Sequence, residues 1–367
     1  MPADRSTFRA RRERAAAACR EAGIAALLVS PGSDLAYLSG YRIHLSERLT
    51  CLVLPADGAP VLVVPALEAP RAAAATDCEL RAWQETEDPA ALVASLVATD
   101  GPVAVADQMW ALFVLRLQRA LRGRAFRHAS EITRALRARK DAGEVAALRA
   151  VSASADRAYR RALALPFGGR AEREVGADLA ALLREEGHDE VTFTIVAAGP
   201  NGASPHHETG ERRLADGDAV VMDFGGTREW YCSDITRTVH VGGKPDAEIR
   251  RVHDAVRRAQ EAGLAAARAG VPAEDVDKAA RGVIAEAGYG ERFIHRTGHG
   301  IGLDGHEHPY LVHGNREPLA PGMAFSIEPG IYVPGRFGVR LEDIVVLGDD
   351  GRAEALNAAD HALALVS

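Results

Sequence analysis

The chain has 367 residues, 47% hydrophobic and 26% charged, with a formal net charge of -7. That length allows two domains or one large one, and the composition is that of a globular chain without the basic excess that phosphate-backbone binding needs, which excludes nucleic acid as its main partner. No uninterrupted apolar run approaches the roughly 18 residues of a membrane span, so no membrane association is expected. Arg20 and Glu21 interrupt the alanine-rich stretch Ala15 to Ala18 before it can act as a signal-peptide core. The four cysteines, Cys19, Cys51, Cys78 and Cys232, form no CxxC pair, and both features point to a cytoplasmic protein with reduced thiols.

Helical periodicity over Ser6 to Ala22 precedes the apolar run Ile24 to Val29. Thr50 to Leu54 and Val61 to Val64 read as a strand pair across Asp57-Gly58. These segments describe a small α/β domain over residues 1–138, ending in the charged segment Arg134 to Lys140. Asp141, followed three residues later by Glu144, is a capping-box start for the first helix of a second domain, 139–367. That second domain repeats its own element order. Helices predicted over Asp141 to Leu165 and Asp246 to Ala269 lie about 105 residues apart, and those over Arg173 to Glu186 and Glu274 to Ala287 about 101. A short strand follows each pair, Thr192 to Val196 and Arg292 to Arg296, then a loop rich in Gly and His, then an acidic hairpin. A duplicated unit of this kind is an α+β fold with a pseudo-twofold axis and a cleft between its halves.

In the first hairpin, Asp223 and Asp234 are symmetric about a turn at Thr227-Arg228-Glu229, so they are expected to face each other directly, with Cβ atoms roughly 5 Å apart. In the second, Glu328 and Glu342 are symmetric about Gly335, and Arg340 shares a strand face with Glu342, whose carboxylate it can orient. Two like-charged pairs on apolar strands are destabilising without a proton or a cation between them. Histidines gather ahead of each hairpin: His206 and His207 before the first, and His295, His299, His306 and His308 before the second. Four carboxylates with imidazole and no thiol form an oxygen-rich site for two divalent ions, manganese ahead of cobalt, iron or zinc.

An isolated Asp in an apolar strand is more often a capping or turn residue; the repetition of the pair is what argues for ligation. His207, His308 and His313 read as structural or exposed. His253, in a helix with Arg250, Arg251, Arg257 and Arg258, reads as a surface residue. Gly300 to Gly305 matches GxGxxG literally, but it follows His295 and His299 rather than an apolar strand, and Pro309 comes soon after, so it is not a dinucleotide fingerprint. HExxH, GxSxG and a Walker loop are absent from the sequence.

Pro205-His206-His207, Asp216-Gly217-Asp218, Val221-Met222-Asp223-Phe224-Gly225, Ser233-Asp234-Ile235-Thr236-Arg237-Thr238, Gly298-His299-Gly300-Ile301-Gly302, Gly305-His306-Glu307, Ser326-Ile327-Glu328-Pro329-Gly330 and Gly338-Val339-Arg340-Leu341-Glu342-Asp343 together resemble the pita-bread metallopeptidases, specifically the Xaa-Pro peptidases aminopeptidase P and prolidase. Ser30 to Gly40 resembles their creatinase-type front domain, so the likeness covers essentially the whole chain. It implies that Asp223, Asp234, His299, Glu328 and Glu342 bind two metal ions, and that Glu328 is also the general base toward a bridging water. It further implies that His206, His295 and His306 line the substrate side and that Arg340 supports the ligands from behind. The implied substrate is a peptide with proline second, cut before the proline, and the implied assembly is a homodimer whose front domain helps enclose the cleft. Some prolidases carry a carboxylate-binding arginine where this chain has Tyr310, which weakens a strict dipeptidase assignment unless Arg296, Arg336 or Arg340 serves instead. Creatinase-type chemistry needs no metal, methionine aminopeptidase lacks the front domain, and a peptide-binding relative would have lost ligands.

Overall fold

The first helix, Arg5–Glu21, starts where Asp4 accepts a hydrogen bond from the Thr7 amide, and it turns Phe8, Ala15 and Cys19 inward, in the computed structural model, which describes residues 4–367. These residues form two units, 4–137 and 138–367. In the smaller unit, Ala26–Val29, Cys51–Pro55 and Val61–Pro65 are buried strands of a mixed six-stranded sheet. Its order is Glu79–Trp83, Val61–Pro65, Cys51–Pro55, Ala26–Val29, Val103–Val105, Phe126–His128. Parallel pairing on both flanks is the arrangement that interspersed helices impose. Cys19, Cys51, Cys78 and Cys232 are all buried and unbridged.

In the larger unit, Asp141 and Glu144 exchange both capping-box hydrogen bonds at the start of the helix Ala142–Ala162. The helices Glu172–Glu185, Ala247–Ala266 and Ala273–Glu286 complete two helix pairs that cover two sheets. One sheet orders Ala364–Val366, Ile235–Val241, Ala219–Arg228 and Glu190–Ala198; the other orders Glu307–Leu311, Gly298–Gly300, Ala324–Ile327, Asp343–Leu347 and Ala353–Ala355. A single bridge joins them, with the Glu342 amide donating to the Thr236 carbonyl at 3.0 Å. Beside it, the Arg237 guanidinium donates to the Glu342 carbonyl and to Asp343 Oδ1, each at 2.7 Å, with both side chains almost fully buried. Breaking such a buried pair costs about 3–5 kcal/mol, because the remaining charge is stranded.

Three expectations are corrected. The segment Arg292 to Arg296 is not a strand: a 3-10 turn covers Gly290–Arg292 and the strand is Gly298–Gly300. The Arg281 guanidinium takes the Phe293 and His295 carbonyls, which removes the acceptors a ladder would use. The first hairpin turns at Glu229-Trp230, both with positive φ (49 and 78), as a two-residue turn of the twist-matching kind requires. This shifts the register, so Asp223 pairs with Thr236, and Asp234 lies diagonally from Asp223 on the same face rather than opposite it. Gly225 permits the close pass there, since a Cβ would collide with the Ser233 carbonyl. Finally, His253 is only 6% exposed, because it falls on the inward stripe of its helix with Ile249, Val256 and Gln260.

Burial, and then Arg257, lowers the His253 pKa to about 4. A histidine that folds neutral contributes stability above its unfolded pKa and loses it as pH falls. Between about pH 6.5 and 4, His253 should remove up to about 3 kcal/mol, and H253L should flatten that limb in urea unfolding at pH 7 and pH 4.5.

Candidate metal centre

Strand pairing places the acidic residues in one lateral row. Asp223 is paired with Ile195 on one side and with Thr236 on the other; Thr236 bridges to Glu342. In the second hairpin, Ile327 pairs with Asp343 and Gly330 with Arg340 about a turn centred on Gly335, the register in which Glu328 opposes Glu342. The Glu328 amide donates to the Thr297 carbonyl, which ties the row to the segment carrying His299. Gly298 makes this approach possible, because a Cβ there would overlap the Ser326 carbonyl.

The five predicted ligand side chains therefore converge. Three sets of donor atoms each fall within 4.8 Å of one another: Asp223, Asp234 and Glu342; His299, Glu328 and Glu342; and Asp234, His299 and His306. His299 Nδ1 lies 3.0 Å from the Gly300 carbonyl, an acceptor, so this nitrogen carries the proton. Its Nε2 presents a lone pair 3.3 Å from Glu328 Oε1 and 3.8 Å from Asp234 Oδ2. Asp223 Oδ1 and Asp234 Oδ1 are buried and have no hydrogen-bond partner among the described residues. Lone pairs aimed at one another in a buried site repel unless a cation lies among them, and carboxylate oxygens with one imidazole suit a hard or borderline divalent ion. The residues present fit a metal centre.

Electrostatics give the same result. Burial, and then Asp223 and Glu328, raises the Asp234 pKa well above the usual carboxylate range; burial, then Asp234 and Glu328, does so for Glu342. Glu328 is pushed up to about 7 by burial, with Arg340 opposing. Burial, then His306, takes His299 down to about 3, so its ring is neutral and able to ligate.

Arg340 does not sit directly on Glu342 as its strand face suggested. Its Nη2 lies 2.5 Å from Asp223 Oδ2, and it reaches Glu342 only through Thr236, whose hydroxyl accepts from Arg340 Nε at 3.1 Å and donates to Glu342 Oε2 at 2.7 Å. Its Nη1 donates to the Tyr332 hydroxyl at 2.9 Å, and that hydroxyl donates to His295 Nε2 at 2.7 Å. His295 Nδ1 is held by the Arg296 carbonyl at 2.7 Å, so both ring nitrogens of His295 are occupied. Tyr332 and Thr236 were missing from the sequence-derived site; Tyr332 carried no signal because its partners lie 8 and 37 residues away, whereas Thr236 stands within the quoted motif. His306 is exposed at the rim, with its ring centre 3.8 Å from that of His299. Burial, then Arg296 and His206, lowers its pKa. His206 is exposed, and its neighbour His207 is anchored by Glu172, a fully buried carboxylate that also accepts from Ala198, Asn201 and Gly210. His313 is exposed.

Comparison with known proteins places both units. Residues 146–349 match the profile of metallopeptidase family M24, and residues 11–139 match the creatinase/prolidase N-terminal domain. A probable dipeptidase PepE of Mycobacterium bovis is 49% identical over 99% of this chain and 98% of its own. The crystal structure of dipeptidase PepE from Mycobacterium ulcerans superposes with a TM-score of 0.94 at 46% identity, covering 100% of both chains. That of a recombinant prolidase from Thermococcus sibiricus gives 0.92 at 37% identity, over 98% of this chain and 99% of that one. With buried facing carboxylates, a neutral histidine among them and a creatinase-type domain in front, the chain belongs to metallopeptidase family M24 and is a hydrolase.

Proposed function

We propose that this protein hydrolyses the peptide bond before a proline in second position, as an Xaa-Pro peptidase of the prolidase or aminopeptidase P type. In this reading Asp223, Asp234, His299, Glu328 and Glu342 hold two divalent ions, manganese first, and residues 1–138 form the front domain of a cytoplasmic enzyme. The observation that carries it is the convergence of Asp234, Glu328 and Glu342 on His299, with Asp223 joined to the cluster through Asp234 and Glu342. The relatives named dipeptidase and prolidase add the substrate class, and the unbridged cysteines fit a reducing compartment.

Bound divalent ions would polarise the scissile carbonyl and make water acidic enough to ionise near neutral pH. Glu328, with Oε1 accepting from the Ser326 hydroxyl at 3.1 Å and a pKa near 7, is poised to take a proton at working pH and return it to the departing nitrogen. His306 accepts from Arg296 on Nδ1, so its Nε2 carries the proton and can donate to an oxygen that gains charge. His295 acts as a positioning residue, fixed by Tyr332 and Arg296. Arg340 holds Asp223 in place, and through Thr236 it holds Glu342.

The first measurement is hydrolysis of Ala-Pro and Ala-Pro-Ala by protein stripped with chelator and reloaded with manganese, with Ala-Ala-Ala and a Met-Ala peptide as controls. Metal-dependent cleavage of a proline peptide alone is expected, and cleavage of only the controls would overturn the assignment. E328Q should keep the fold by circular dichroism and lose at least about 100-fold in kcat; near-normal turnover would remove Glu328 from its role. D234N should weaken divalent-ion binding by about 10-fold or more while raising the urea midpoint of the stripped protein, because it removes one of the mutually repelling charges. A variant that kept both ions and the wild-type midpoint would remove Asp234 from the ligand set.

A further inference from the structure

Glu172 opens the helix Glu172–Glu185 and is completely buried. Its Oε1 accepts from the Ala198 amide at 2.8 Å and from Asn201 Nδ2 at 2.9 Å. Its Oε2 accepts from His207 Nε2 at 2.8 Å and from the Gly210 amide at 3.2 Å. The donors come from the beginning, middle and end of one segment, 198–210, so a single carboxylate gathers the whole loop onto the helix. An ionised carboxylate is costly to bury, and four donors at the positive end of a helix offset that cost.

The same contacts act on His206. Arg340 Nη1 donates to the Pro205 carbonyl at 3.3 Å and His207 is tied to Glu172, so both chain neighbours of His206 are held. His206 itself makes no hydrogen bond among the described residues. Its ring is exposed and stands close enough to His295 and His306 for a charge on it to act on both. With its backbone fixed on either side, this ring has only its own side-chain torsions to settle when a ligand arrives, which lowers the entropy lost on binding. We infer that Glu172, acting through His207, is a positioning residue that presents His206 to the substrate. His207 is therefore more than a filler of the loop: it transmits the hold of a buried carboxylate to the histidine beside it. This inference rests on the Xaa-Pro peptidase reading above.

The test is a double-mutant cycle read by binding and by turnover. Calorimetry measures the affinity of the metal-reloaded protein for a reduced-bond Ala-Pro analogue, with CH2 in place of the scissile carbonyl, and steady-state kinetics gives kcat and KM for Ala-Pro and Ala-Pro-Ala. H206A, H207A and E172Q should each weaken analogue affinity and kcat/KM about 5–30-fold, chiefly through KM, at wild-type metal content. H207Q, whose amide can donate to the same carboxylate, should recover most of the loss. In the H206A background, H207A and E172Q should cost less than about twofold more, because the residue they act through is gone. Losses that multiply in the double variants, loss of metal from H207A, or H207A indistinguishable from wild type would each overturn the inference. Non-additive loss of analogue binding, without cleavage of any peptide, would uphold the inference and overturn the peptidase reading. Cleavage of proline peptides with multiplying losses would do the reverse, and a protein that neither binds the analogue nor cleaves a proline peptide would overturn both.

Discussion

The repulsion among buried carboxylates governs the catalytic unit. Asp223, Asp234, Glu328 and Glu342 stand together in a largely buried site, three of them pushed toward neutrality by burial and by neighbouring carboxylates. Water would relieve this repulsion on a surface; within paired strands, only a cation or a proton can. Arg340 supplies part of that positive charge directly, and the lone-pair nitrogen of His299 marks where more belongs.

The backbone converts this electrostatic demand into a fixed geometry. Each acidic residue lies on or beside a hydrogen-bonded strand, and the row Asp223, Thr236, Glu342, Glu328 is continuous because the two hairpins touch at one bridge. The hydrogen bonds from Arg340 to Thr236 and Tyr332, and onward to Glu342 and His295, leave few of the polar atoms around the carboxylates free to reorient. A site fixed on strands is preorganised, so reorientation need not accompany the chemical step.

Much of this was legible in the sequence where a local rule controls the outcome. The second hairpin kept its expected register because Pro334-Gly335-Arg336 carries a glycine at its centre, with φ 71, and strands of equal length on either side. The first was misread by one turn position because Glu229 and Trp230 adopt left-handed conformations that neither residue type advertises. The even-numbered shift left Asp234 on its predicted face, so the acidic cluster survived the error. Contacts between distant residues were less accessible. Arg281 capturing the Phe293 and His295 carbonyls cancelled a predicted strand, and Tyr332 became visible only once Arg340 and His295 were brought beside it. His253 was misjudged from its arginine neighbours, although its spacing from Ile249 and Gln260 already pointed inward.

The single bridge at Thr236 and Glu342 has a bearing on ancestry. Each half contributes one acidic pair, and the first pair has neither the histidine nor the arginine, both of which come from the second half. If the repeat arose by duplication, a half-length ancestor could have formed such a centre only as two copies meeting edge to edge. In the single chain the two edges differ, one carrying aspartates and the other glutamates with His299 and Arg340. The asymmetry of the present site is what a symmetric precursor could not have had.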